Sequence, residues 1–287
     1  MMKGKPMFDK SLLAEKRILI TGGGSGLGAS MARRFAELGA DLVLCGRRKE
    51  LLETTAADIR SASGCDVVAQ VCDIRDANAV DSMMERVFAQ RPIDVLVNNA
   101  AATFIAQSEH LSARAADAIL APTLHGTMYC TLNAGKRWIE AAHRGVVLSI
   151  LSTSTITGRA FTVPSAMAKT AVLAMTKSLA VEWGPKGVRL VAIAPGPFPT
   201  AGAASQLRPK GRDLNNNLGQ AGMNPLGRVG EHLELANLAS FLVSDQAGYI
   251  NGEMVTQDGG AHLRSSGAED LLQWTDAQWV AQRTART

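Results

Sequence analysis

The sequence predicts a doubly wound α/β fold, a single seven-stranded parallel sheet with helices on both faces. Three observations predict it. Short β-branched runs alternate with helical patterns from near the N-terminus to about residue 260, the order that parallel strands joined by crossover helices require. The strand runs are mostly continuous in apolar residues, as strands covered on both faces must be. The chain has 287 residues, 46% hydrophobic and 20% charged, enough to bury a large core without disulfides or a structural metal.

Taken in order, the strands are predicted at Arg17 to Thr21, Asp41 to Cys45, Asp66 to Cys72, Asp94 to Asn98, Gly145 to Ile150, Val188 to Ala194 and Glu253 to Gln257. The helix after the first strand carries Leu27, Met31, Phe35 and Leu38 on one face. It stops at Gly39, because glycine accepts the left-handed conformation that ends helices. Another helix opens at Pro164, whose fixed φ suits a first turn, and closes at Gly184 and Pro185. From Pro197 to about Gly230 the sequence is rich in Gly, Pro and Asn without a period, which reads as a flexible insertion suited to a lid. Residues 1–262 are therefore expected to form one domain that includes this insertion, and 263–287 a C-terminal extension. The extension holds Trp274 and Trp279 in a helical stretch, expected to pack on its own domain or on a sister subunit.

Composition narrows the function classes. Thirty basic against 26 acidic residues give a net charge of +4 with no basic arm, which argues against nucleic acid as a partner. No run approaches the ~18 apolar residues of a membrane span, and the start, MMKGKPMFDK, lacks a secretory apolar centre. Cys45, Cys65, Cys72 and Cys130 form no C-x-x-C pair and read as reduced thiols rather than a zinc site. The last residues, Thr284 to Thr287, are no peroxisomal address, so the expected location is cytoplasmic.

Chemistry enters at the end of the first strand. The run Thr21-Gly22-Gly23-Gly24-Ser25-Gly26-Leu27-Gly28 leads straight into a helix. Glycines there let the backbone approach a pyrophosphate, which the helix N-terminus attracts. Between an apolar strand and an amphipathic helix the loop predicts a Rossmann-type dinucleotide site. The second strand ends in Cys45-Gly46-Arg47-Arg48, with no acid to hold a ribose 2′-OH. Arg47, with Arg48 beside it, suits a 2′-phosphate instead, so NADPH is expected over NADH. Asp73 and Ile74, after the third strand, fall where the adenine would lie.

These motifs, with Asn98-Asn99-Ala100, Ser152, Lys169, Pro195-Gly196 and Asp258-Gly259-Gly260, resemble the short-chain dehydrogenase/reductase superfamily over residues 12–262. The resemblance implies that Asn98 supports the nicotinamide side of the site and that Lys169 holds the nicotinamide ribose. It also implies that Pro195 and Gly196, followed by Pro197, cover the nicotinamide face, and that the protein is a homo-oligomer. The superfamily's tyrosine stands four residues before its lysine, whereas this chain has Ser165 there, and Tyr129 and Tyr249 are its only tyrosines. The 2,4-dienoyl-CoA reductase branch also has a small residue at that place, and the sequence resembles it at Asn99-Ala100-Ala101, Phe104, Pro164-Ser165-Ala166, Lys169 and Glu182-Trp183-Gly184. That branch implies hydride addition from NADPH to a conjugated acyl-CoA thioester.

Where members of the branch draw on a tyrosine or an aspartate, this chain has Ser154 and Thr123, and His125 stands where the wider superfamily keeps an asparagine. His125 is therefore the expected substitute acid or proton relay, with filling of a helix position as its alternative. Ser152 matches the superfamily's serine, and Ser149, Thr153 and Ser154 are competing hydroxyls. Carbonyl or alcohol chemistry, and cofactor binding without turnover, remain the alternative functions.

Overall fold

The computed structural model describes residues 8–207, 224–263 and 274–284. Seven parallel strands, β1 (Arg17–Thr21), β2 (Asp41–Gly46), β3 (Val67–Val71), β4 (Val95–Asn98), β5 (Gly145–Ile150), β6 (Val188–Pro195) and β7 (Met254–Gln257), lie in the order β3-β2-β1-β4-β5-β6-β7. All five β1 residues are buried, and they alternate between two cores, as the two-residue strand period demands. Ile18 and Ile20 join one cluster with Phe35, Leu52 and Leu242, whereas Leu19 joins the other with Met83, Trp138 and Trp183. The continuous apolar runs thus mark strands sandwiched between helices.

The first cluster lies under α1 (Gly26–Glu37), α2 (Lys49–Ser63) and α9 (His232–Val243). The second lies under α3 (Ala77–Gln90), α5 (Gly126–Glu140) and the end of α7 (Val163–Trp183), which follows the one-turn α6 (Ser154–Thr157). Helix ends follow local chemistry: the Asp76 carboxylate accepts from Asn78 and Ala79 amides at 2.9 and 3.2 Å to open α3, and Glu231 and Glu234 cap α9 reciprocally. Gly39, just past α1, has φ +94, the left-handed turn anticipated for it.

Strand boundaries shift by a residue from the sequence reading. β6 runs through Pro195, tolerated at a strand end where no amide donor is needed. Two elements depart further. α4 (Ala113–Leu120) continues into α5 through a π-turn at Ala121–His125. Pro122 has no N–H to return to the carbonyl four residues back, and the widened turn absorbs that gap. The segment after β6, read as aperiodic, contains α8 (Ala201–Leu207), while the middle of the anticipated lid, 208–223, lies outside the described residues. In the extension, α10 (Asp276–Thr284) is helical, and the Trp274 and Trp279 rings lie 4.9 Å apart. No helix of the described residues is long and apolar enough to cross a membrane.

Candidate active site

Strand order reverses at β1 and β4, which feed crossovers to opposite sides of the sheet. Beyond their C-terminal ends lies a cleft of about 670 Å³ lined from Gly22 through Lys169 to Gly196, the place where doubly wound sheets bind dinucleotides. The two strand ends are stitched together. The Thr21 hydroxyl accepts the Asn99 and Ala100 amides at 3.0 and 3.1 Å. Asn99 Nδ2 returns bonds to the carbonyls of Thr21 and Gly22 at 3.0 and 3.3 Å.

The glycines of the loop serve different ends. Gly22 adopts φ +68, a conformation that suits glycine. Gly28 faces inward instead: a Cβ there would lie 2.3 Å from the Gly22 carbonyl oxygen and 2.7 Å from Asn99 Nδ2. Ser25 is the residue before α1, yet its side chain makes no capping bond, and the first turn of α1 holds no acid. Among the described residues no side chain caps the amides at this end, and a pyrophosphate fits the cradle.

At the adenosine end, Arg47 and Arg48 are exposed on the cleft, and Arg48 Nη2 donates to Ser25 Oγ at 3.2 Å. Asp73 lines the cleft as expected, but it is engaged. Arg75 Nη2 donates to it at 2.5 Å, and this bond, aided by the Arg47 charge, holds its carboxyl below the usual range. Ile74 lines the cleft beside it.

The substrate end gathers Lys169, Ser152, Ser154 and Ser165 on the cleft wall. α7 carries Lys169 against the end of β5, where it is 8% exposed. Its ammonium donates to the Ile150 carbonyl at the end of β5, and burial lowers its pKa to about 8. Ser152 Oγ accepts from both the amide and the hydroxyl of Ser154, at 3.3 and 3.2 Å, which leaves its own proton free for a ligand. Among the competing hydroxyls, Ser149 is buried with an unpartnered Oγ off the cleft, and Thr153 does not line it.

Several expectations need correction. His125 is exposed and does not line the cleft; its ring centroid lies 6.3 Å from that of Tyr129. The π-turn sets the direction of this face, and Pro122 rather than His125 reaches the cleft. His125→Ala is accordingly expected to leave turnover unchanged in a steady-state assay, and a large loss would restore the relay. Asn98 turns into the protein, donating to Thr131 Oγ1 at 2.9 Å, because strand alternation aims Asn98 and Asn99 at opposite sides. Pro197 lines a separate small cavity of about 80 Å³ with Phe198 and Asp258. Gly28 acts on the cleft by packing, without lining it.

Sequence reading missed Arg75, Pro122 and Arg159 on the cleft wall; only the proline carried a signal, as a breaker inside a helical pattern. Thr123, set aside as a lost acid, is buried and holds the loop after β4, accepting the Ala102 amide at 3.0 Å and donating to its carbonyl at 3.3 Å. Tyr129 packs against the second core and Tyr249 is fully exposed, and neither lines the cleft.

Fold and site define a dinucleotide-binding α/β oxidoreductase. Residues 22–262 match the family model described as enoyl-(acyl carrier protein) reductase. The chain is 41% identical over 253 residues to a probable 2,4-dienoyl-CoA reductase of Bacillus subtilis, covering 88% of this chain and 98% of that one. A short-chain dehydrogenase structure from Bacillus anthracis is 38% identical, with a TM-score of 0.78 over 90% of this chain and all of that one. A putative NAD(P)-dependent gluconate 5-dehydrogenase from Beutenbergia cavernae, with NADP bound at low occupancy, is 30% identical at a TM-score of 0.81, covering 88% and 98%. The chain belongs to the short-chain dehydrogenase/reductase family.

Proposed function

We propose that this protein reduces a carbon–carbon double bond of an enoyl- or dienoyl-CoA thioester with NADPH. The observation that carries the reading is the cleft wall around Lys169, which holds Ser152, Ser154 and Ser165 and no tyrosine. A carbonyl reductase needs an acid strong enough to quench an alkoxide, and a serine hydroxyl is too weak. A conjugated thioester asks for less: its oxygen gathers charge in an enolate and needs hydrogen-bond donors, which preorganised hydroxyls supply. The name of the Bacillus subtilis relative agrees with this chemistry.

Bound NADPH would supply the hydride. The loop amides at Gly24 to Gly26 and the N-terminus of α1 would hold its pyrophosphate, and Arg47 a 2′-phosphate. Ser152, whose oxygen already accepts from Ser154, directs its proton to the thioester oxygen. Lys169 holds a proton on Nζ that burial makes easier to give up, and it orients the ligand by its remaining donors.

The test is NADPH oxidation by purified protein with 2,4-hexadienoyl-CoA, crotonyl-CoA and a panel of simple ketones. Turnover of the thioesters with none of the ketones is expected. Brisk ketone reduction without thioester turnover would replace this reading with carbonyl chemistry, and binding with no oxidation of any compound would replace it with a cofactor-binding role. Cofactor choice has its own check. Arg47→Ala is expected to lower kcat/KM for NADPH by about 10–100-fold, as loss of a charged hydrogen-bonded pair does, while the NADH value stays put. An equal loss with both cofactors would remove Arg47 from 2′-phosphate recognition.

A further inference from the structure

Among the described residues the cleft carries four arginines, Arg47, Arg48, Arg75 and Arg159, and three of them belong to the adenosine end. Arg75 is paired with Asp73, Arg48 bonds Ser25, and Arg47 acts on Asp73. Arg159 stands apart. It lies in the turn before α7, after β5, whereas Arg47 follows β2; those two strands are three apart in the sheet order, or about 14 Å at the usual strand spacing. Its guanidinium is exposed on the cleft and makes no hydrogen bond or ion pair with a described residue. A dinucleotide held by the glycine loop places its phosphates toward the other end, so this cation answers to a different anion.

The turn that carries Arg159 is held under strain. Phe161 adopts φ +63, which a bulky side chain rarely accepts, and it is 55% exposed. Its carbonyl accepts the Ala106 amide at 3.0 Å, and Thr162 Oγ1 donates to the Arg159 carbonyl at 3.3 Å. These bonds tie the turn to the loop after β4, whose Ala101 to Thr103 also line the cleft. The result is a guanidinium with no partner among the described residues, held by this turn on the same cleft wall as Ser165 and Lys169. Strain of this kind persists where the surrounding structure fixes it, and it concentrates at ligand-holding positions.

We propose that this part of the cleft wall anchors the phosphate-bearing arm of the substrate's thioester carrier, with Arg159 on a phosphate. The proposal rests on the thioester reading above and adds the residues that recognise the carrier. A guanidinium takes a phosphate through charge-assisted, often bidentate bonds. The phosphate could be that of phosphopantetheine or the ribose 3′-phosphate of CoA, and the ligands below separate the two.

Calorimetric titration of the NADP-saturated protein with CoA, dephospho-CoA, phosphopantetheine and pantetheine provides the test. Arg159→Ala is expected to weaken CoA about tenfold or more, to leave pantetheine unchanged, and to be largely rescued by Arg159→Lys. Sensitivity retained with phosphopantetheine places Arg159 at the phosphate next to pantetheine, and sensitivity lost on going to dephospho-CoA places it at the 3′-phosphate. No CoA binding by the wild-type protein, equal CoA affinity in Arg159→Ala, or an equal loss with pantetheine would overturn the proposal. Turnover of the phosphate-free N-acetylcysteamine dienoyl thioester by the same preparation reports separately whether the reductase reading stands.

Discussion

Lys169→Met is expected to lower kcat/KM for NADPH-dependent turnover by about 100-fold or more, the scale of a lost charged donor at a reacting centre, and to flatten the pH dependence of stability. The two effects share one cause. Folding carries the ammonium into a wall where it is 8% exposed and bonded to the Ile150 carbonyl. Burial disfavours the charge and brings the pKa from its ordinary 10.5 to about 8. The folded value lies below the unfolded one, so between about pH 8 and 10.5 the unfolded chain binds one proton more than the folded chain. Wild-type stability therefore rises with pH through that window relative to Lys169→Met, by about 3 kcal/mol in total.

Urea unfolding of both proteins at neutral and alkaline pH reads the difference, in which the titrations common to both cancel. Parallel pH dependences would mean that the lysine is not buried as described. In the active protein, kcat/KM for NADPH reports groups of the free enzyme, so it should fall above about pH 8 as the Lys169 ammonium is neutralised.

Gly28→Ala should raise the NADPH dissociation constant by tenfold or more and cost about 1–3 kcal/mol of stability, the usual cost of overpacking. The added carbon would lie 2.3 Å from the Gly22 carbonyl oxygen, which is backbone and cannot swing aside. It would also press on Asn99 Nδ2 at 2.7 Å, the atom that stitches β1 to β4 through the Thr21 and Gly22 carbonyls. Relief requires the glycine loop to open away from α1, which spreads the amides that form the pyrophosphate cradle. Gly24→Ala provides the comparison, because its new carbon meets the flexible Leu52 side chain at 3.2 Å and should lose less. Fluorescence titration with NADPH, together with thermal unfolding, measures both; unchanged affinity in Gly28→Ala would show that the close approach is not needed.

Much of this site was legible before the fold was known. Gly22 and Gly24 to Leu27 of the glycine loop, with Arg47, Ser152, Ser165, Lys169 and Pro195-Gly196, each sit at or just after the end of a strand or in a helix that a simple apolar pattern reveals, and all line the cleft. Their placement follows because strand ends in a parallel sheet face one side. Legibility failed where a side chain's direction depends on phase. Asn98 and Asn99 are neighbours in sequence, yet one bonds Thr131 in the interior and the other bonds the glycine loop. His125 held the position of a catalytic residue, but the turn around Pro122 leaves it on the exposed face.

The amino-acid sequence alone thus determined the sheet and the family, because those depend on local periodicity and on the spacing of short motifs at strand ends. Tertiary structure alone decided which hydroxyls line the cleft, how deeply the lysine is buried and that Arg159 has no partner among the described residues. Each of those depends on contacts between segments far apart in the chain, where the direction of a side chain and its access to water are set by packing.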